Sequence, residues 1–228
     1  MFYYVKSLDS EMAAAFGLPE MRPVAPKGLY ARVFKRVFDI VAVLATSPVV
    51  LVVFLIVGLL IRRDGGAVFY AQKRIGHDGR IFTCWKLRSM VVDADKRLVE
   101  HLANNPEANA EWTVSQKLRN DPRITRIGHF IRKSSIDELP QLWNVLIGEM
   151  SLVGPRPFMP EQKPLYKGNA YYLLRPGITG LWQVSDRNEI SFASRAVFDN
   201  RYVAELSFLA DLKILARTVG VVLRATGV

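Results

Sequence analysis

Two adjacent acids, Asp137 and Glu138, lie in a stretch that runs RKSSIDELPQLWNVLIGEMSLVGPRP from Arg132 to Pro157. Paired carboxylates among arginines suit phosphoryl chemistry. One acid can attack phosphorus, because carboxylates form acyl-phosphates. The other can hold Mg²⁺, a hard cation that takes one or two carboxylates together with substrate phosphates. Arg132 stands just upstream, and Arg156 sits between Pro155 and Pro157, a stiff setting for a guanidinium. The planar fork of arginine donates two hydrogen bonds at once to phosphate. Arg175, Arg187 and Arg195 follow, each near turn residues or a helix start. Together they would balance charge that develops on a transferring phosphoryl group. Lys86 and Arg88 are further candidates for a nucleotide or lipid phosphate, with a solvated face as the plainer role. A plainer role is open for the acids too. Ser135-x-x-Glu138 has the form of a capping box, and Asp137 can simply cap a helix. Pro140 is tolerated only in a first helical turn, which puts the helix start between Ser135 and Asp137.

Such a site needs elements to hold it and a place to work. The place is indicated by an uncharged run of 22 residues, Ile40 to Ile61. About 20 apolar residues suffice to cross a bilayer. Yet Arg32, Lys35 and Arg36 precede the run, and Arg62 and Arg63 follow it. Basic flanks stay on the cytoplasmic side, and here both flanks are basic. Pro48 removes a backbone donor near the middle and is expected to break or kink the helix. Ser47 can take up a freed carbonyl, as hydroxyls do in lipid-embedded helices. Two arms of about a dozen residues would each reach only about 18 Å. The segment therefore reads as a re-entrant helix-break-helix in one leaflet, with a kinked spanning helix as the alternative. It starts too far from Met1, and is too long, for a typical signal peptide, and so reads as retained.

The rest reads as an α-rich α+β protein in three parts: a lead-in over 1–29, the membrane element over 30–63, and a cytoplasmic catalytic domain over 64–228. The lead-in mixes Gly17, Pro19, Pro23, Pro26 and Gly28 and reads as flexible. Ala67–Arg74 and Arg80–Lys86 read as strands of a small hairpin turning at His77-Asp78-Gly79. Helices are expected over 94–104, 108–118, 124–133, 134–149, 158–175, 192–205 and 210–225, with an extended segment over 178–184. The last helix carries Lys213, Arg217 and Arg224 among Leu, Ile and Val, and either lies on an anionic membrane surface or packs with a solvated edge.

Net charge is +10, from 31 basic and 21 acidic residues. Such a balance suits anionic lipid, nucleic acid or phosphorylated substrates. The apolar run favours membrane, and no nucleic-acid reader motif is present, so no nucleic-acid partner is expected. A single cysteine, Cys84, excludes a disulfide framework and reads as a packing residue. His77, His101 and His129 lack metal-ligand spacing. Trp143 is expected in the core. Asp199 and Asp211 are more simply salt-bridge partners than metal ligands.

Several strings together resemble the bacterial sugar transferase family, the small monotopic phosphoglycosyl transferases, and most of all their ExoY-type exopolysaccharide enzymes. They are KRVFDI at Lys35, DGGAVFYAQKRIGHDGRIFTCWKLRSM at Asp64, DPRITRIGHFIRKSSIDELPQLWNVLIGEMSLVGPRP at Asp121, RPGITGLWQVSDRN at Arg175, and a tail with Asp199, Tyr202 and DLKIL at Asp211. The likeness covers residues 35 to 215 in order. It implies attachment to the cytoplasmic leaflet of the bacterial inner membrane through a helix broken at Ser47-Pro48. It implies that Asp137 attacks the β-phosphate of a UDP-sugar and releases UMP, and that Glu138 binds Mg²⁺. The sugar phosphate then passes to a polyprenyl phosphate, as the first step of exopolysaccharide repeat-unit assembly. Arg132 and Arg187 are the implied phosphate-binding arginines. Asp186 stands where the family often has Gly, so the loop bearing Arg187 departs from the pattern. Galactose or glucose is the expected sugar; the oligomeric state is open. A glycosyltransferase that releases UDP and a non-enzymatic membrane adaptor are the competing readings.

Overall fold

Pro48 does not end the first helix. In the computed structural model, which describes residues 26, 28–63, 65–115, 118–185, 192 and 194–223, a π-helical turn at Tyr30–Phe34 leads into helix α1, Lys35–Arg62. The expected break is thus corrected: helical structure runs through Ser47-Pro48. Local chemistry explains why. Pro48 has no N–H for the carbonyl of Leu44, and the Ser47 hydroxyl donates to that carbonyl at 2.8 Å. The Thr46 hydroxyl bonds the carbonyl of Ala42 at 2.9 Å. The one acceptor that Pro48 frees is covered locally, as a helix surrounded by apolar groups requires.

Both ends of α1 dock on one body. At its start Arg36 donates to the carbonyls of Val145 and Leu146, and Asp39 accepts the Leu152 N–H at 3.0 Å. Val43 is buried with Phe82, Cys84, Val145 and Met150. At the far end Val57 and Ile61 are buried with Leu87 and Ile131. Between these anchors Val49, Leu51 and Leu55 are each about two-thirds exposed, at 69%, 65% and 66%. A contiguous apolar surface of this kind marks a binding or membrane face.

The body follows. Strands β1, Phe69–Ile75, and β2, Ile81–Leu87, form the expected antiparallel hairpin. Helices α2, Ala94–Asn104, and α3, Pro106–Ser115, precede α4, Arg126–Lys133. A 3₁₀ turn at Ile136–Glu138 leads into α5, Gln141–Ile147. Strand β3, Ser151–Val153, pairs parallel with β4, Gly177–Thr179. Between them lie 3₁₀ turns at Pro160–Leu165 and Ala170–Leu173, not the single helix expected over 158–175. Pro160, Pro164 and Gly168 forbid a long α-helix there. The parallel pair was not foreseen, and it depends on glycine: a Cβ on Gly177 would stand 2.1 Å from the Gly154 nitrogen. Helices α6, Arg195–Glu205, and α7, Phe208–Leu223, close the order. Residues 1–25, Arg187 and Arg224 lie outside the described residues.

Candidate active site

The 3₁₀ turn before α5 delivers the two acids. Ser135 takes a left-handed conformation, with φ 57°, uncommon for a residue with a side chain. It makes no side-chain cap, so the capping-box reading is corrected. Bonds of the i→i+3 type continue through Leu139→Ile136 at 3.2 Å and Leu142→Leu139 at 3.0 Å. Pro140 has no N–H to close an α-type ring here, and α5 begins directly after it. Asp137 is thereby buried, with 8% of its surface exposed.

Strand β2 brings Lys86 to the pair. Its Nζ lies 2.8 Å from Glu138 Oε1 and 3.9 Å from Asp137 Oδ2. Arg156, from the loop after β3, approaches the same Glu138 oxygen at 3.6 Å. Arg132, near the end of α4, donates from Nε to the buried Ser89 hydroxyl at 2.8 Å. Burial pushes the Asp137 carboxyl above its ordinary range; Lys86 and Arg132 pull it down, while Glu138 raises it. Arg74, Lys86, Glu138, Gln141 and Arg156 line one cleft.

Arg88 does not join them. Its guanidinium donates to the carbonyls of Ala67 at 2.6 Å and Ile61 at 3.1 Å. It braces the end of α1. Arg175 is likewise taken by the Gly148 carbonyl at 2.9 Å. Trp143 is 58% exposed rather than core, because α5 turns that face outward. Cys84 is buried, as expected. Asp211 pairs with Lys35 at 2.6 Å. Asp199 instead accepts the Tyr166 hydroxyl at 2.8 Å, and its burial pushes it up to about 7. Sequence reasoning passed over Arg74 and Gln141. The one available signal for Arg74 was its strand register, opposite the buried Phe82.

Among the described residues no cluster of three or more His, Cys, Asp or Glu could hold a metal. The dyad alone offers two carboxylates. That donor set fits Mg²⁺ completed by substrate phosphate and water, not a cage made by protein alone.

A carboxylate pair under Lys86 and Arg156 thus sits on an α-rich body with one long apolar helix. The chain belongs to the bacterial sugar transferase family, whose model matches residues 30–225. It is 43% identical over 229 residues to the exopolysaccharide production protein ExoY of Sinorhizobium fredii, covering 98% of this chain and 99% of that one. It is 51% identical over 199 residues to a UDP-galactose-lipid carrier transferase of Erwinia amylovora, covering 86% of this chain. An undecaprenyl-phosphate galactose phosphotransferase of Salmonella typhimurium is 47% identical over 199 residues. The chain spans 42% of the length of each of the last two.

Proposed function

We propose that this chain transfers a hexose-1-phosphate, galactose or glucose, from a UDP-sugar to undecaprenyl phosphate, as the first step of exopolysaccharide assembly. The observation that carries the reading is Asp137, buried beside Lys86 with Glu138 held by two cations. An Asp137 oxygen bonds to the β-phosphorus of the donor. The bond from that phosphorus to the bridging oxygen breaks, and UMP leaves with the oxygen and its electron pair. A phosphate oxygen of the acceptor then attacks the same phosphorus. The Asp137–phosphorus bond breaks, the carboxylate is regenerated, and the product is a polyprenyl-diphospho-sugar. Lys86 favours the ionised form of Asp137 and offsets the donor's charge; Arg156 and Arg132 add positive charge nearby. Glu138 would hold Mg²⁺, and the chemistry that ion would supply there is further charge neutralisation on the donor's phosphates. The names of the Erwinia and Salmonella relatives describe the same kind of transfer to a lipid carrier.

In this reading the reaction runs at the cytoplasmic face of the inner membrane, with α1 dipping into one leaflet. Support comes from the two ends of α1, basic on both sides and both seated on the same body. Val43 and Ile61 are about 27 Å apart on a straight helix. Cys84 and Leu87, the β2 residues of the two buried clusters that hold Val43 and Ile61, are only about 10 Å apart. A helix bent near Pro48 satisfies this better than a straight rod.

The test is mass spectrometry of enzyme quenched with UDP-galactose or UDP-glucose. A hexose-phosphate adduct is expected on the peptide that contains Asp137. Asp137→Asn should lose the adduct and at least roughly a thousandfold in turnover, with membrane attachment intact. UDP as the main nucleotide product overturns the proposal, and so does full activity of the Asn variant.

A further inference from the structure

The cleft beside the dyad is more cationic than the dyad explains. Arg74 and Arg156 both line it. Arg74 donates to the Pro157 carbonyl at 3.3 Å and to Gln72 Oε1 at 2.6 Å. One residue on, the Phe158 ring meets the Phe192 ring edge-on at 5.9 Å. Against Phe192 lies a third guanidinium, Arg195, whose Cζ is 4.3 Å from that ring and 4.2 Å from the ring of Trp182. Three arginines thus gather around the short segment 156–158. The acids near them are already engaged. Glu138 is held by Lys86 and Arg156, and Asp199 takes the Tyr166 hydroxyl.

Arg195 is the least satisfied of the three. Its Nε is buried and has no hydrogen-bond partner. Aromatic faces offset a cation's charge but accept none of its in-plane N–H bonds. Burial, and then the charge of Arg156, push its guanidinium down to about 10, with Asp199 opposing and Arg74 adding to the shift. Buried donors in folded proteins are nearly always paired. Like charges brought together, with a donor left over, fit an anion with several acceptor oxygens.

We propose that Arg74 and Arg195, together with Arg156, bind the nucleoside-bearing phosphate of the donor, the group that departs. This rests on the phosphoglycosyl-transfer reading given above. A nucleotide sugar carries two phosphates. The one attacked by Asp137 is served by Lys86 and Arg132. Its neighbour is assigned to the Arg156 side of Glu138, where Arg74 shares the cleft lining and Arg195 stands behind the Phe192 ring. When the bond from β-phosphorus to bridging oxygen breaks, the electron pair remains on that oxygen. The departing monophosphate gains negative charge there, and planar donors stabilise it without giving up a proton. The donor half of the reaction therefore depends on Arg74 and Arg195, while discharge of the adduct to the lipid acceptor does not.

The experiment uses the full chain in lipid nanodiscs, with UMP and uridine as probes and UDP-galactose or UDP-glucose as donor. Arg195→Gln and Arg74→Gln are expected to weaken UMP binding at least tenfold and to leave uridine binding within twofold. Adduct formation should slow at least tenfold, and adduct discharge to polyprenyl phosphate should stay within twofold. Arg195→Lys, which keeps the charge but loses the planar fork, should fall between. Thermal unfolding of each variant checks folding; if Arg195→Gln does not fold, Arg74→Gln and Arg195→Lys carry the test. Unchanged UMP binding in these variants overturns the proposal, as does equal slowing of both half-reactions, which would mark a structural role. If the unmodified chain forms no adduct at Asp137, the transfer reading fails, while UMP binding still reports on the arginines separately.

Discussion

A carboxylate that attacks phosphorus must be ionised, and burial of Asp137 works against that. Lys86 is the side chain that most lowers its proton affinity, with Arg132 next. The ionised form is the nucleophile, so activity falls as pH drops through the Asp137 titration. The acid limb of kcat/KM is expected above the ordinary aspartate value of about 4. Lys86→Met should move that limb to higher pH, because the cation that favours ionisation is gone; Lys86→Arg should hold it lower. A pH-rate series on the two variants checks this, and an identical acid limb in both refutes it. At this scale the chain was partly legible. Adjacent acids, a proline-braced arginine and their family likeness pointed to Asp137, Glu138 and Arg156 before any geometry. Arg88 was less legible, because a charged residue after a strand looks the same whether its donors meet phosphate or the carbonyls of Ala67 and Ile61.

The element that decides topology is α1. Its apolar middle is bare, its ends are anchored, and the Ser47 hydroxyl covers the carbonyl that Pro48 cannot. A re-entrant helix keeps both flanks on one side of the bilayer. Single cysteines at Arg32→Cys and Arg63→Cys, in a chain whose own Cys84 is buried, should both react with a membrane-impermeant maleimide in inverted vesicles and stay silent in right-side-out ones. Labelling from opposite sides would establish a spanning helix instead. In a Pro48→Ala variant, restored backbone bonding should favour a straighter helix and raise the share of opposite-side labelling. The dyad turn teaches a related point. Ser135-x-x-Glu138 has a capping pattern, yet the left-handed Ser135 and the missing N–H of Pro140 turn it into a 3₁₀ delivery of two carboxylates.

Across the whole molecule, Asp211 ties α1 to the body. It is fully buried and accepts from the Tyr30 hydroxyl, Lys35 Nζ and the Tyr202 hydroxyl, each at 2.6 Å. These come from the turn before α1, from α1 itself and from α6, while Asp211 belongs to α7. Removing one partner of a buried pair costs about 3–5 kcal/mol, because the other charge is left uncompensated. Asp211→Ala should therefore lower the thermal midpoint sharply in nanodiscs, and Asp211→Asn less so. A midpoint unchanged by the alanine would show that the tie carries no load.

Chain chemistry alone determined the apolar run, the hairpin, the acidic pair and the family, because those signals are local: hydropathy, turn residues and contiguous motifs. Folding decided which cations reach the acids. Lys86 and Arg156 lie 52 and 18 residues from Glu138 along the chain, and no periodicity links them. Only the packing of β2, the 3₁₀ turn and the loop after β3 brings them within 4 Å of one carboxylate. The same holds for the two ends of α1, whose shared seat depends on partners distant in sequence.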